Sequence, residues 1–139
     1  MILQKCCHDT DLLVWLTGKR CQSLSSYGSL EFFKPENAPE GYTDRCIDGC
    51  RYNSTCPYSA MKYLSKYKDH AFREYAVEKE GFTDTAEALR KGRYGRCVFH
   101  CDNNVVDHQV VDLLFEGGIT ATLTMCGFSN FGRETHIMG

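Results

Sequence analysis

The hydrophobic period of this chain switches once, and the switch limits what the chain can fold into. Before Gly92 the apolar residues mostly recur at helical spacing; from Arg96 onward they alternate every second residue. Leu12, Leu13, Trp15 and Leu16 give a helical apolar face expected to be core, with Asp9 as N-cap and Gly18, Lys19 and Arg20 as the stop. Pro57 opens a second expected helix through Lys66, and 69–79 fits a short amphipathic one. Thr83 or Asp84 caps a helix over 85–91, closed by Gly92. Beyond it, 96–101, 105–116, 119–128 and 134–138 read as strands, with Gly117-Gly118 as a two-residue hairpin turn. One earlier stretch, 21–33, also reads as extended, with a bulge at Gly28, and stops at 34–41, where two prolines and a glycine cannot continue a ladder. Helices followed by a meander predict an α+β fold: a predominantly antiparallel, open-faced β-sheet with helices packed on one face. Val110, Leu114, Ala121, Leu123 and Met125 make the sheet less polar than a solvated face should be, so another subunit or another domain is expected to cover the open side.

Composition narrows the function classes. With 139 residues, 42% hydrophobic and 24% charged, residues 1–139 are expected to form a single globular domain. Sixteen Lys+Arg against 18 Asp+Glu leave a net charge of -2, which gives no electrostatic attraction to nucleic acid or to an acidic membrane surface. The longest apolar run, 12–16, is too short to span a bilayer, and no signal-peptide core follows Met1, so a cytoplasmic location is expected. Nine cysteines, an odd number, then argue for free thiols or a metal site rather than a disulfide framework. Ile2-Leu3 runs straight into the first helix and the last residues stop in mid-strand pattern, so the chain is expected to be a domain excised from a longer protein.

The first helix carries a crowd of reactive groups at its mouth: Lys5, Cys6, Cys7, His8, Asp9 and Asp11. Polar ligands are readily held at such a mouth. A His-Asp pair there can equally be a plain cap with a solvated imidazole. Two further readings follow from the residues. Cys6 and Cys7 either line a pocket or, with the helix N-terminus and Lys5 beside them, become reactive thiolates. Asp107 and His108 form either a catalytic dyad or a strand-entry Asp with a neighbouring exposed His, since adjacent strand residues point to opposite faces.

The run His8-Asp9-x-Asp11-Leu12-Leu13-x-Trp15-Leu16-x-Gly18 resembles the start of the substrate domain in the glucose-fructose oxidoreductase, inositol dehydrogenase and rhizopine-catabolism (Gfo/Idh/MocA) family. Arg96-Cys97-Val98-Phe99-His100-Cys101-Asp102-Asn103-Asn104-Val105-Val106-Asp107-His108-Gln109, the hairpin Leu114-Phe115-Glu116-Gly117-Gly118 and Arg133-Glu134-Thr135-His136-Ile137-Met138-Gly139 resemble its later segments in the same order. The resemblance implies the C-terminal, substrate-binding and oligomerisation domain of an NAD(P)-dependent oxidoreductase acting on a sugar, cyclitol or related polyol. NAD or NADP would be held by the protein's own N-terminal Rossmann domain, because no Gly-x-Gly-x-x-Gly follows a strand here and no Glu precedes Lys34-Pro35. The 139 residues alone are then expected to be inactive. It further implies His8 as the acid-base residue, Lys5 as its catalytic partner, and Cys7, Asp9, Asp11 and His136 as substrate-binding residues. Gln4 stands where relatives often carry Asp, which leaves Lys5 as the polar neighbour and leaves room for glycoside cleavage through transient oxidation, as some relatives perform. The open sheet face implies a homodimer or higher homo-oligomer.

Cys46-x3-Cys50-x5-Cys56 is a separate constellation. Three thiols this close suit a structural zinc ion, with Cys97, Cys101, His100 or Asp48 as the fourth ligand, although the spacing is not the paired Cys-x-x-Cys of most structural sites and free thiols also pack as small hydrophobes. The alternative function is therefore a free-standing, non-catalytic module stabilised by a Cys-rich metal site.

Overall fold

The strongest alternation in the chain, His108–Phe115, is a β-strand whose odd-numbered residues Val111, Leu113 and Phe115 are buried while Asp112 and Leu114 face out. The computed structural model describes residues 5–65, 74–130 and 132–139, and the described residues pack as two compact units: those up to Phe32 together with Asn103–Gly139, and those within Phe33–Asp102. The class is α+β, a small antiparallel sheet with few helices.

In the first unit, β1 (Cys21–Ser29), β2 (His108–Phe115) and β3 (Thr120–Cys126) form an antiparallel sheet in the order β1-β2-β3. Helix α1 (Cys7–Thr17) contributes Leu13 to the cluster built on Val111, Leu113 and Phe115, with Ala121 and Leu123 of β3. Phe115 is fully buried, worth about 2–3 kcal/mol of transfer free energy. Register puts Ala121, Leu123 and Met125 on the core face, so only Val110 and Leu114 of the expected set lie on the other face, beside Ser25, Tyr27, Thr122 and Thr124.

Several expectations are corrected. Helix α1 starts at Cys7, two residues ahead of the expected cap, and Cys6 makes no side-chain cap; Gly18 does close it, with φ 57°. Trp15 is 75% exposed, and Val14 and Leu16 are also exposed, because a three-stranded sheet covers only one side of the helix. The irregularity in β1 lies between Cys21 and Ser23, not at Gly28; a Cβ on Gly28 would stand 2.8 Å from the His108 carbonyl oxygen, so this position serves close strand approach. The hairpin connection is Glu116-Gly117-Gly118, one residue longer than expected, both glycines taking positive φ. Residues 134–138 are exposed and unpaired with any described strand.

In the second unit, α2 (Thr85–Lys91) forms as expected: the Asp84 carboxylate accepts the Glu87 N–H at 2.9 Å and the helix stops at Gly92. Its last carbonyls are capped by the Arg45 guanidinium, which donates to Leu89 O at 2.9 Å and Gly92 O at 2.8 Å. The expected strand 96–101 is reduced to a single antiparallel bridge, Arg45 with Arg96, since no longer extended segment lies beside it. After Pro57 the chain takes a 3-10 turn over Ala60–Leu64 instead of a longer α-helix. Of the helix expected over 69–79, Glu74–Glu78 forms a π-helical turn burying Ala76 and Val77; the remainder begins outside the described residues, as does Lys66.

Candidate functional site

The first turn of α1 delivers the groups singled out in the sequence. His8 is exposed and, among the described residues, makes no hydrogen bond or ion pair. Cys7, Asp11 and Lys5 are exposed beside it. Asp9 is held: its carboxylate is 17% exposed and ion-paired with Arg133. Cys6 is buried, and burial pushes its thiol above the ordinary value, with the Asp9 charge and a hydrogen bond to Asp9 acting the same way. Of the two adjacent cysteines, Cys6 is enclosed and Cys7 is open to solvent. Thr10 Oγ1 donates back to Cys6 O at 3.2 Å and Cys7 O at 2.9 Å, fixing the turn. His136 is 83% exposed, with Glu134 at 3.8 Å, and no described contact joins it to His8. The structure thus brings together Asp9, Cys6 and Arg133, leaves His8, Lys5, Cys7 and Asp11 facing solvent, and leaves His136 apart.

A second arrangement lies at the start of β2. Asp107 Oδ1 stands 2.8 Å from His108 Nδ1, and His108 Nε2 stands 3.2 Å from Ser29 Oγ on β1. Asp107 is only 1% exposed, and its Oδ2 accepts the Glu31 N–H at 3.1 Å and the Phe32 N–H at 2.7 Å. The buried carboxylate needs a donor, so Nδ1 carries the proton and Nε2 accepts from the Ser29 hydroxyl. The Phe128 ring sits edge-on to His108 at 6.2 Å. The expectation that adjacent residues diverge is corrected: Asp107 precedes β2, and its side chain turns back to bond its neighbour. Ser29 was not singled out in the sequence; the cross-strand pairing of Ser29 with His108 is the only signal for it, and that becomes visible once register is known.

The expected metal ligands fall in the second unit. Cys46, Cys50 and Cys56 are half-buried, as are Cys97 and Cys101. No three of the described His, Cys, Asp or Glu side chains already stand at metal-ligating separations. Two of the fourth-ligand options are engaged or turned away: His100 Nδ1 pairs with Tyr42 Oη at 2.9 Å, and Asp48 is exposed. Among the described residues no helix is long and apolar enough to cross a membrane. No family model, no curated protein and no solved structure matches the chain.

Proposed function

We propose that the chain supplies the substrate-side half of an NAD(P)-dependent oxidoreductase acting on a sugar, cyclitol or related polyol, with His8 as the acid-base residue. The observation that carries this reading is the state of His8: an imidazole on the first turn of a helix docked on the sheet, unpaired among the described residues, while the neighbouring carboxylate is held by Arg133. An imidazole committed to a cap would be bonded. In the proposed reaction His8 takes the proton of a secondary hydroxyl as the C–H bond gives up its hydride. Lys5, Cys7 and Asp11 are placed to hold substrate oxygens. Asp9 holds the turn through Arg133 instead of touching substrate.

The described residues do not fit a dinucleotide: the sheet is wholly antiparallel and no glycine-rich turn joins a strand to a helix. NAD or NADP therefore belongs to another domain, and this chain's own part is confined to the proton and the substrate. Exposed Val14, Trp15 and Leu16 are assigned to the contact with that domain, and the face bearing Tyr27, Val110 and Leu114 to a homodimer, in the open-faced arrangement of the Gfo/Idh/MocA C-terminal domain.

The test is dinucleotide reduction by the full-length protein over a panel of hexoses and inositols. His8→Gln should lower kcat by roughly 10²- to 10⁴-fold while dinucleotide binding is unchanged. Reduction undiminished by the substitution would remove His8 from the mechanism.

A further inference from the structure

We propose that Ser29, His108 and Asp107 of the first unit form an acyl-transfer triad that hydrolyses activated carboxylic esters, with Ser29 as the nucleophile. This second activity does not rest on the role given to His8. Ser29 Oγ stands 3.2 Å from His108 Nε2, within reach for a nucleophile and its base. Asp107 Oδ1 stands 2.8 Å from Nδ1 on the other side of the ring. A ring protonated at Nδ1 therefore presents its Nε2 lone pair to the serine hydroxyl, the division of labour of a Ser-His-Asp site.

The strand ends hold the three groups in place. Ser29 closes β1 and is the cross-strand partner of His108, which opens β2. The Asp107 N–H donates to Ser29 O at 3.0 Å, and the Gly127 N–H donates to Asp107 O at 2.7 Å, so main-chain bonds fix this segment on both sides. Asp107 is 1% exposed and spends Oδ2 on the Glu31 and Phe32 N–H groups, which leaves Oδ1 for the imidazole. The hydroxyl side is open: Ser29 is half-buried and the His108 side chain is 42% exposed, so an ester carbonyl can reach Oγ. A bond serving only to join strand ends needs no buried carboxylate behind the ring. General-base catalysis does, because the carboxylate sets the tautomer and orientation of the base.

In the reaction Ser29 Oγ bonds to the ester carbonyl carbon while its proton passes to His108 Nε2. The C–O bond to the leaving group then breaks, and His108 returns that proton to the departing oxygen. Water adds to the acyl-serine with its proton going to Nε2, the carboxylic acid leaves, and Ser29 regains the proton. The surroundings narrow the substrate. The Glu31 and Phe32 N–H groups already serve Asp107 and are not available to a developing oxyanion, so the site suits an ester with a good leaving group rather than an amide. Phe32 and Phe128 stack at 4.7 Å, and Phe128 meets His108 edge-on at 6.2 Å. This apolar wall beside the base favours an aryl leaving group or a short acyl chain.

The test uses the full-length protein with its thiols blocked by N-ethylmaleimide, so that cysteines do not react with the ester. A fluorophosphonate probe should modify Ser29, read by peptide mass, and the protein should hydrolyse p-nitrophenyl butyrate. Ser29→Ala, His108→Gln and Asp107→Asn should each lower that hydrolysis by roughly 10²-fold or more, with urea denaturation confirming that each variant is folded. Ser26→Ala, which removes another serine of β1, should leave it unchanged. The proposal is overturned if the folded wild-type protein shows neither labelling nor hydrolysis. It is equally overturned if Ser29→Ala hydrolyses the ester as fast as wild type, or if His108→Gln leaves the labelling of Ser29 undiminished.

Discussion

Replacing Asp107 with Ala should be the most damaging single change in the first unit. Asp107 is 1% exposed, and its carboxylate accepts from Glu31 N–H at 3.1 Å and Phe32 N–H at 2.7 Å and lies 2.8 Å from His108 Nδ1. His108 can turn to water, since its side chain is 42% exposed. The two backbone N–H groups lose their acceptor where the chain leaves β1, and each unsatisfied buried donor costs about 1–3 kcal/mol. Asp107→Ala should therefore cost roughly 3 kcal/mol and lower Tm by roughly 10 °C. Asp107→Asn keeps one carbonyl oxygen for the same two N–H groups and should cost only about 1 kcal/mol. Urea denaturation followed by tryptophan fluorescence measures both. A loss below 1 kcal/mol for Asp107→Ala would refute the argument that this carboxylate fixes the β1 exit.

Further outcomes follow from other parts of the structure. Gly95→Ala should unfold or strongly destabilise the second unit, because the added Cβ would lie 1.8 Å from the Leu89 carbonyl oxygen; hydrogen exchange across 85–101 reads it. Arg45→Ala removes the cap on the last carbonyls of α2 and should cost about 2–4 kcal/mol in chemical denaturation. Burial raises the folded-state thiols of Cys97 and Cys101, so their contribution is present below the ordinary thiol value and is lost as pH climbs through the raised ones; urea midpoints should fall over that window. Cys50 behaves oppositely, its contribution being lost as pH falls through its lowered value, and it should alkylate at lower pH than Cys101. If the proposed homodimer forms through the sheet face opposite α1, Leu114→Asp should give monomer in light scattering where the wild type gives dimer, while leaving Tm nearly unchanged, since Leu114 is 38% exposed.

What could be read from sequence was what depends on local chemistry. Asp84 with Glu87 three residues on, and Gly92 behind, define α2 without help from the rest of the chain. Gly18, the glycines at 117–118 and the alternation in β2 are equally local. Trp15 was misread because apolar spacing says which side of a helix can be buried, not how much sheet is there to cover it. The strand expected over 96–101 failed for want of a partner, which pairing decides and composition does not. The Asp107-His108-Ser29 chain rests on register and on N–H groups 75 and 76 residues away, distances over which sequence pattern carries no signal. For the N-terminal site the residue types were legible, but the capture of Asp9 by Arg133 was not.

The central claim is that His8 moves the substrate proton. The measurement that meets it most directly is single-turnover hydride transfer by full-length wild-type and His8→Ala protein, with dinucleotide prebound and the best polyol of the panel added at saturation. The account predicts a chemical step slowed by roughly 10²-fold or more in the variant, with substrate and dinucleotide still bound. An unchanged rate for that step would contradict it.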